Sequence, residues 1–384
     1  MSDRNKHAAV TSESRALFIG SVGFVVLGGV AFLLVGRDPV PLSGRGSAGD
    51  IGAIGTAVLG AAAVVAGCLQ RPTPVSPQFR GGRTRHAIDV GALALAHACI
   101  FLLGWLALFW VFQQAFIGAL LYPVAAAVLV GAVGAISAYV AYLSALGMTA
   151  YRLAALLAGF LVTGVLTSML TAADPHWWQE NLSALGMSSD VSGVAFNFTL
   201  IVGGVVVTTL AGYSTATLAA SANTPAALRR ARLLEGGIAL MGVFLACVGV
   251  FPVDERFGLH TLVASGMVVV FASLIVRIRA LVPSISPAFA ALGWVFLAVI
   301  VVAAVLWFPV GYYNLTAVEL IAGLLIFSWL IVLIRNLAAV DADQFNANQP
   351  RRPELEPGAA ATQAPGSPVP WERGGPSPLK DHGH

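Results

Sequence analysis

Apolar residues in this chain come in long runs, not in the alternation of a strand or the three-to-four spacing of an amphipathic helix. Ten runs stand out: Ala16–Gly36, Ile51–Leu69, Val90–Phe112, Leu121–Leu143, Leu153–Ala172, Val191–Tyr213, Leu234–Val250, Thr261–Val276, Phe289–Phe308 and Ala317–Ile334. About 20 apolar residues span a bilayer as a helix. Within lipid a lone segment satisfies its backbone N–H and C=O groups only by forming a helix. The pattern therefore predicts an all-α, polytopic integral membrane protein with ten transmembrane helices.

Composition agrees. Of 384 residues, 58% are hydrophobic and 10% are charged. A soluble domain carries roughly a quarter charged residues, so this chain has too few charges to cover a surface facing water. Its 41 glycines also suit membrane helices. The first run is read as a retained anchor, because "GRDPVPLSG" after it offers no small-residue cleavage site.

The basic residues set an orientation. If the segments between runs alternate from the inside, the inner ones hold 18 of the 21 Lys and Arg, and the outer ones hold only Arg37, Arg45 and Arg256. The positive-inside rule then places both termini in the cytoplasm, in a plasma membrane of bacterial type. Four regions follow: a cytoplasmic tail over 1–15, a four-helix membrane region over 16–147, a six-helix membrane domain over 148–338, and a cytoplasmic tail over 339–384. The last is rich in Pro, Gly and Ala, lacks bulky apolar residues and is expected to be disordered. Its His382 and His384 are too isolated to form a metal site. Cys68, Cys99 and Cys247 lie in apolar runs with no paired spacing, so neither disulfides nor zinc are expected. The net charge of +3 gives no reason to expect a nucleic-acid partner.

No Asp, Glu, Lys or Arg falls near the middle of a run, whereas ion-coupled transporters usually carry carboxylates there. His97 is the one deep ionisable residue. It reads either as a proton relay or as a neutral imidazole bonded to a neighbouring helix. Small residues four apart, Thr56 with Gly60 and Ala63 with Gly67, and the pair Gly203–Gly204, are read as helix contacts.

Candidate chemistry gathers in three outer segments. "DPHWWQENLSALGMSSD" holds His176, Trp177, Trp178, Glu180, Asn181, Ser183 and Gly186; "FPVDERFGLH" holds Asp254 and His260; "PVGYYNLTAVE" holds Tyr312, Tyr313 and Asn314. Asn197 and Thr199 follow inside the sixth run. Carboxylates and imidazoles in mutual reach can act as acid and base, which makes Asp254, His260, His176 and Glu180 the catalytic candidates. Asn181, Ser183, Gly186, Asn197, Trp177 and Trp178 are the ligand-binding candidates. On the other reading these are wet loops with aromatic anchors at the interface. No HExxH, GxSxG or paired-Cys signature occurs, and no metal or cofactor is expected.

From about Tyr151 to Asn336 the chain resembles the uncharacterised bacterial membrane family numbered 998 among the domains of unknown function. The resemblance rests on Ser183-Ala184-Leu185-Gly186, then Asn197, then Pro252, Asp254 and His260. Members often carry an acid where this chain has Ala184. That family is faintly similar to the Frag/DRAM/Sfk membrane proteins, some tied to lipid remodelling. The resemblance implies a lipid-associated function, with a membrane lipid or small molecule as partner. A non-catalytic headgroup- or partner-binding protein, a lipid-modifying enzyme and a transporter of a neutral or hydrophobic solute are the three expectations.

The hexapeptide Leu-Ser-Ala-Leu-Gly-Met occurs twice, at Leu143–Met148 and Leu182–Met187. The flanks differ, and the two copies fall on opposite sides of the fifth run. Only the second is expected to belong to a site.

Overall fold

The computed structural model describes residues 3–70, 83–148, 150–220 and 222–347. Ten long helices carry the chain: α1 (Asp3–Val35), α2 (Ala48–Leu69), α3 (Arg83–Ala115), α4 (Pro123–Leu146), α5 (Ala150–Thr171), α6 (Val191–Ala220), α7 (Pro225–Val250), α8 (Phe257–Leu281), α9 (Pro287–Trp307) and α10 (Leu315–Ala347). Each contains a stretch long and apolar enough to cross a membrane. The one sheet among the described residues is a two-residue ribbon, β1 (Val40–Pro41) against β2 (Leu120–Leu121), which joins the α1–α2 and α3–α4 connections.

The helix starts follow from local chemistry. Ser47, Thr224 and Ser286 each turn a hydroxyl back to a backbone N–H in the first turn of α2, α7 and α9. Pro225 and Pro287 take the first helical position, where a missing N–H costs nothing. Several helix limits reach beyond the apolar runs, and two of them change the expected tails. α1 reaches back to Asp3, through most of the expected 1–15 tail, because no proline or glycine interrupts Asp3–Ile19. α10 runs on to Ala347, since the first proline after the apolar run is Pro350. The remainder of the expected C-terminal tail, with His382 and His384, lies outside the described residues, as do Arg71 and Arg80.

Packing depends on backbone approach. A Cβ on Gly23 would sit 3.0 Å from the Gly134 carbonyl, which brings α1 onto α4. On α6, a Cβ at Gly204 would collide with the Gly242 carbonyl of α7 and come within 2.5 Å of the Ala246 nitrogen. Gly60 and Gly67 of α2 abut Phe101 and the Tyr142 carbonyl in the same way. The small residues are therefore packing surfaces. Met1–Ala342 forms one compact unit, and α3 lends Cys99 and Leu103 to the core built by α5–α10. Trp329 of α10 anchors that core, edge-on to Phe271 of α8 and stacked on Phe289 of α9, at centroid distances of 5.4 and 5.5 Å.

Candidate functional site

The α5–α6 connection is folded, not loose. Asp174 accepts the His176 N–H at 2.8 Å, and two short 3₁₀ turns follow, Trp177–Gln179 and Leu182–Met187. Asp190 then opens α6 by accepting the Gly193 N–H at 3.1 Å and the Ser188 hydroxyl at 2.5 Å. Partial burial acts to raise the Asp190 pKa. The Ser188 hydroxyl and the N–H groups of Gly193, Ser192 and Ala173 together outweigh it, so the net shift is downward.

Four hydrogen bonds lash this segment to three helices. Asn314, at the start of α10, donates to the Trp178 carbonyl at 2.7 Å. The Leu182 N–H donates to Glu319 Oε2 at 2.6 Å, and the Ser183 N–H is directed at the same carboxylate. Asn197 of α6 donates to the Gly186 carbonyl at 2.8 Å. The fourth bond joins Ser183 Oγ to His260 Nε2 of α8 at 3.0 Å. Gly186 is required by this closeness: a Cβ there would lie 2.5 Å from Asn197 Oδ1 and 2.9 Å from the Phe196 ring. Gly186 and Asn197, ligand candidates from sequence, are thus engaged with each other.

His260 is 5% exposed and Ser183 8%. The other ring nitrogen, Nδ1, lies 2.7 Å from the Phe251 carbonyl at the C-terminal end of α7. A carbonyl only accepts, so Nδ1 carries the proton. In the neutral ring Nε2 then accepts the Ser183 hydroxyl proton. The pair has the donor–acceptor order of a serine nucleophile and its base, with a backbone carbonyl in place of the orienting carboxylate.

Among the described residues no hydrogen bond or ion pair joins the acid–base candidates His176, Glu180, Asp254 and His260 to one another. Both nitrogens of His260 are taken by Phe251 and Ser183. Asp254 lies exposed two residues before Arg256, which caps α8. Glu180 is exposed as well, and exposed His176 pairs with Asp174 at 3.6 Å. Among the described residues no three His, Cys, Asp or Glu side chains could share a metal ion. The physical reason is local. Asp254 and Glu180 sit in exposed turns, so their carboxylates stay in solvent. Trp177 is half-buried against the core, while Trp178 is exposed. Asn181 Oδ1 is buried without a hydrogen-bond partner.

Sequence reasoning did not place Glu319 or the Phe251 carbonyl in the site. Glu319 did carry a signal: it is the one acid in the apolar run that opens α10.

The other hexapeptide copy is also informative. Ser144 Oγ lies 2.9 Å from Nε2 of buried His97, whose Nδ1 is 2.9 Å from the Leu93 carbonyl of its own helix. His97 is bonded to a neighbouring helix, and its partner is the serine of the first Leu-Ser-Ala-Leu-Gly-Met. The two copies differ in shape, the first ending α4 and the second forming a 3₁₀ turn. Each nevertheless delivers its serine to the Nε2 of a buried histidine, so the first copy, a helix end as its flanks suggested, also bonds to a neighbouring helix.

The chain matches no known family model, no curated protein and no solved structure.

Proposed function

We propose that this is a multi-pass protein of a bacterial-type plasma membrane, with both termini in the cytoplasm. In this reading the α5–α6 segment binds a lipid headgroup or an envelope partner on the outer side. The observation that carries it is the lashing of that segment to α6, α8 and α10 by side chains far apart in sequence. A loop that only connects two helices needs no such anchoring. A loop held in one conformation loses less entropy on binding. Its exposed groups suit a zwitterionic or polar headgroup: His176, Glu180 and Asp254 offer both donor and acceptor positions, and Trp178 is an amphipathic ring suited to headgroup depth.

Lipid co-purifying with the protein, quantified by mass spectrometry, tests this. The exposed double variant His176→Ala/Glu180→Ala is expected to lose the bound species while keeping its thermal stability. His260→Ala, which unlocks the loop, is expected to lose it too. Equal lipid in all three proteins would overturn the proposal.

The Ser183–His260 pair favours a second reading, a lipid-modifying enzyme. In that case Ser183 Oγ attacks an ester carbonyl, Nε2 takes its proton, and the leaving alcohol later receives it. The burial of both groups, and the same pairing at His97–Ser144, favour a structural clamp instead. Labelling by a fluorophosphonate, lost in Ser183→Ala, would establish the enzyme; no labelling would dismiss it.

A further inference from the structure

The strip where the Trp178–Ser183 segment crosses the start of α10 contains more oxygen than its hydrogen bonds use. The crossing is pinned at two points, Asn314 to the Trp178 carbonyl and Glu319 to the Leu182 N–H. Thr316 lies between the pins on α10, and Asn181 lies between them on the segment. Both carry a buried oxygen, Thr316 Oγ1 and Asn181 Oδ1, with under 1 Å² exposed and no hydrogen-bond partner. Thr316 is 3% exposed overall. Its spacing of three from Glu319 puts the two side chains on one helix face. Buried oxygens without partners are rare in folded proteins and point to something that fills the gap.

Charge says what that is. Glu319 is half-buried, and among the described residues no Lys, Arg or His comes within ion-pair distance of it. The N–H groups of Leu182 and Ser183 satisfy lone pairs but carry no net charge. A carboxylate drawn from water without a counter-charge is costly. We infer that Glu319, Asn181 Oδ1 and Thr316 Oγ1 hold a monovalent alkali cation that pins the loop to α10. One carboxylate with two neutral oxygens balances a single positive charge. A divalent ion such as calcium commonly takes several carboxylates, and this site offers one. This inference does not depend on what the loop binds.

Thermal unfolding of the purified full chain in detergent tests it, with sodium, potassium or choline chloride varied at constant ionic strength. Sodium or potassium is expected to raise the midpoint saturably, by about 5 °C at a hundredfold excess over Kd, and choline to leave it unchanged. Glu319→Gln keeps an acceptor for Leu182 and is expected to abolish the response. Thr316→Val, close in shape, is expected to weaken the apparent affinity about tenfold at unchanged fold; it also carries the test alone if Glu319→Gln does not fold. Identical curves in choline and alkali salts, a response confined to calcium, or an unaltered response in Thr316→Val would each overturn the inference.

Discussion

Consider replacing His260 by leucine, alone and together with Ser183→Ala. In the wild-type protein His260 satisfies two groups, the Ser183 hydroxyl and the Phe251 carbonyl. Phe251 ends α7, and a carbonyl at that position has no N–H ahead of it in the helix. Leucine therefore orphans the buried Ser183 hydroxyl and the part-buried Phe251 carbonyl. Each orphan costs about 1–3 kcal/mol, so His260→Leu should destabilise by about 2–6 kcal/mol. Ser183→Ala alone leaves only the Nε2 lone pair unmet, again about 1–3 kcal/mol. In the double variant the hydroxyl and the ring are both gone, and only the Phe251 carbonyl is unmet. The double variant is thus expected to be more stable than His260→Leu by about 1–3 kcal/mol. A second substitution in the core that restores stability is an unusual outcome, and additivity predicts the opposite. The assay is reversible unfolding in mixed detergent and SDS, followed by tryptophan fluorescence, with all four proteins compared. If the double variant is less stable than His260→Leu, the hydrogen-bond assignment is wrong. His97 supplies a control. Its Nδ1 partner, the Leu93 carbonyl, sits inside α3 and keeps its helical N–H, so His97→Leu orphans only Ser144 and should cost about half as much as His260→Leu.

Other outcomes follow from the same geometry. Gly204→Leu drives a side chain into the Gly242 carbonyl and should cost about 1–3 kcal/mol or more, read in the same unfolding assay; wild-type stability would mean α6 and α7 are not in backbone contact. Asp190→Ala removes the α6 cap and should cost about 0.5–2 kcal/mol near neutral pH. Because the Asp190 pKa is lowered on folding, its contribution is complete above the ordinary Asp value of 3.8 and fades as pH falls through the depressed folded value. The wild-type–variant gap should therefore close in acid, and a gap that widened there would refute the assignment. Glu180→Cys and Asp254→Cys should react with a membrane-impermeant maleimide on intact cells, and Arg229→Cys only after permeabilisation. The reverse pattern would invert the proposed orientation.

The helices were legible because lipid-length apolar runs admit one solution for the backbone, and their limits moved furthest at Asp3 and Ala347, where no proline stood at the expected end. The contacts at Gly204 and Gly67 were legible as spacing. The site was legible as a set of segments but not as a set of bonds. His260, Ser183, Asn197 and Gly186 were singled out, yet the pairing of Ser183 with His260 spans 77 positions, and no local pattern encodes it. Asp254 and Glu180 drew attention because of their chemistry, but turn geometry leaves them in water. Glu319 drew less, because one acid at a helix start usually meets solvent. The repeated hexapeptide was legible as a helix end and a loop turn, but the pairing of each serine with a buried histidine on another helix was not.

The separation of those partners also fixes an order of events during synthesis. The second hexapeptide emerges from the ribosome long before its anchors on α8 and α10, and its bond to Glu319 reaches 137 residues ahead. Through the making of α6, α7, α8 and α9 the segment lacks its α10 lock. It closes only when the tenth helix is in place. The state of this loop therefore reports whether the chain has been finished, and a protein cut short before α10 would present it open to proteolysis.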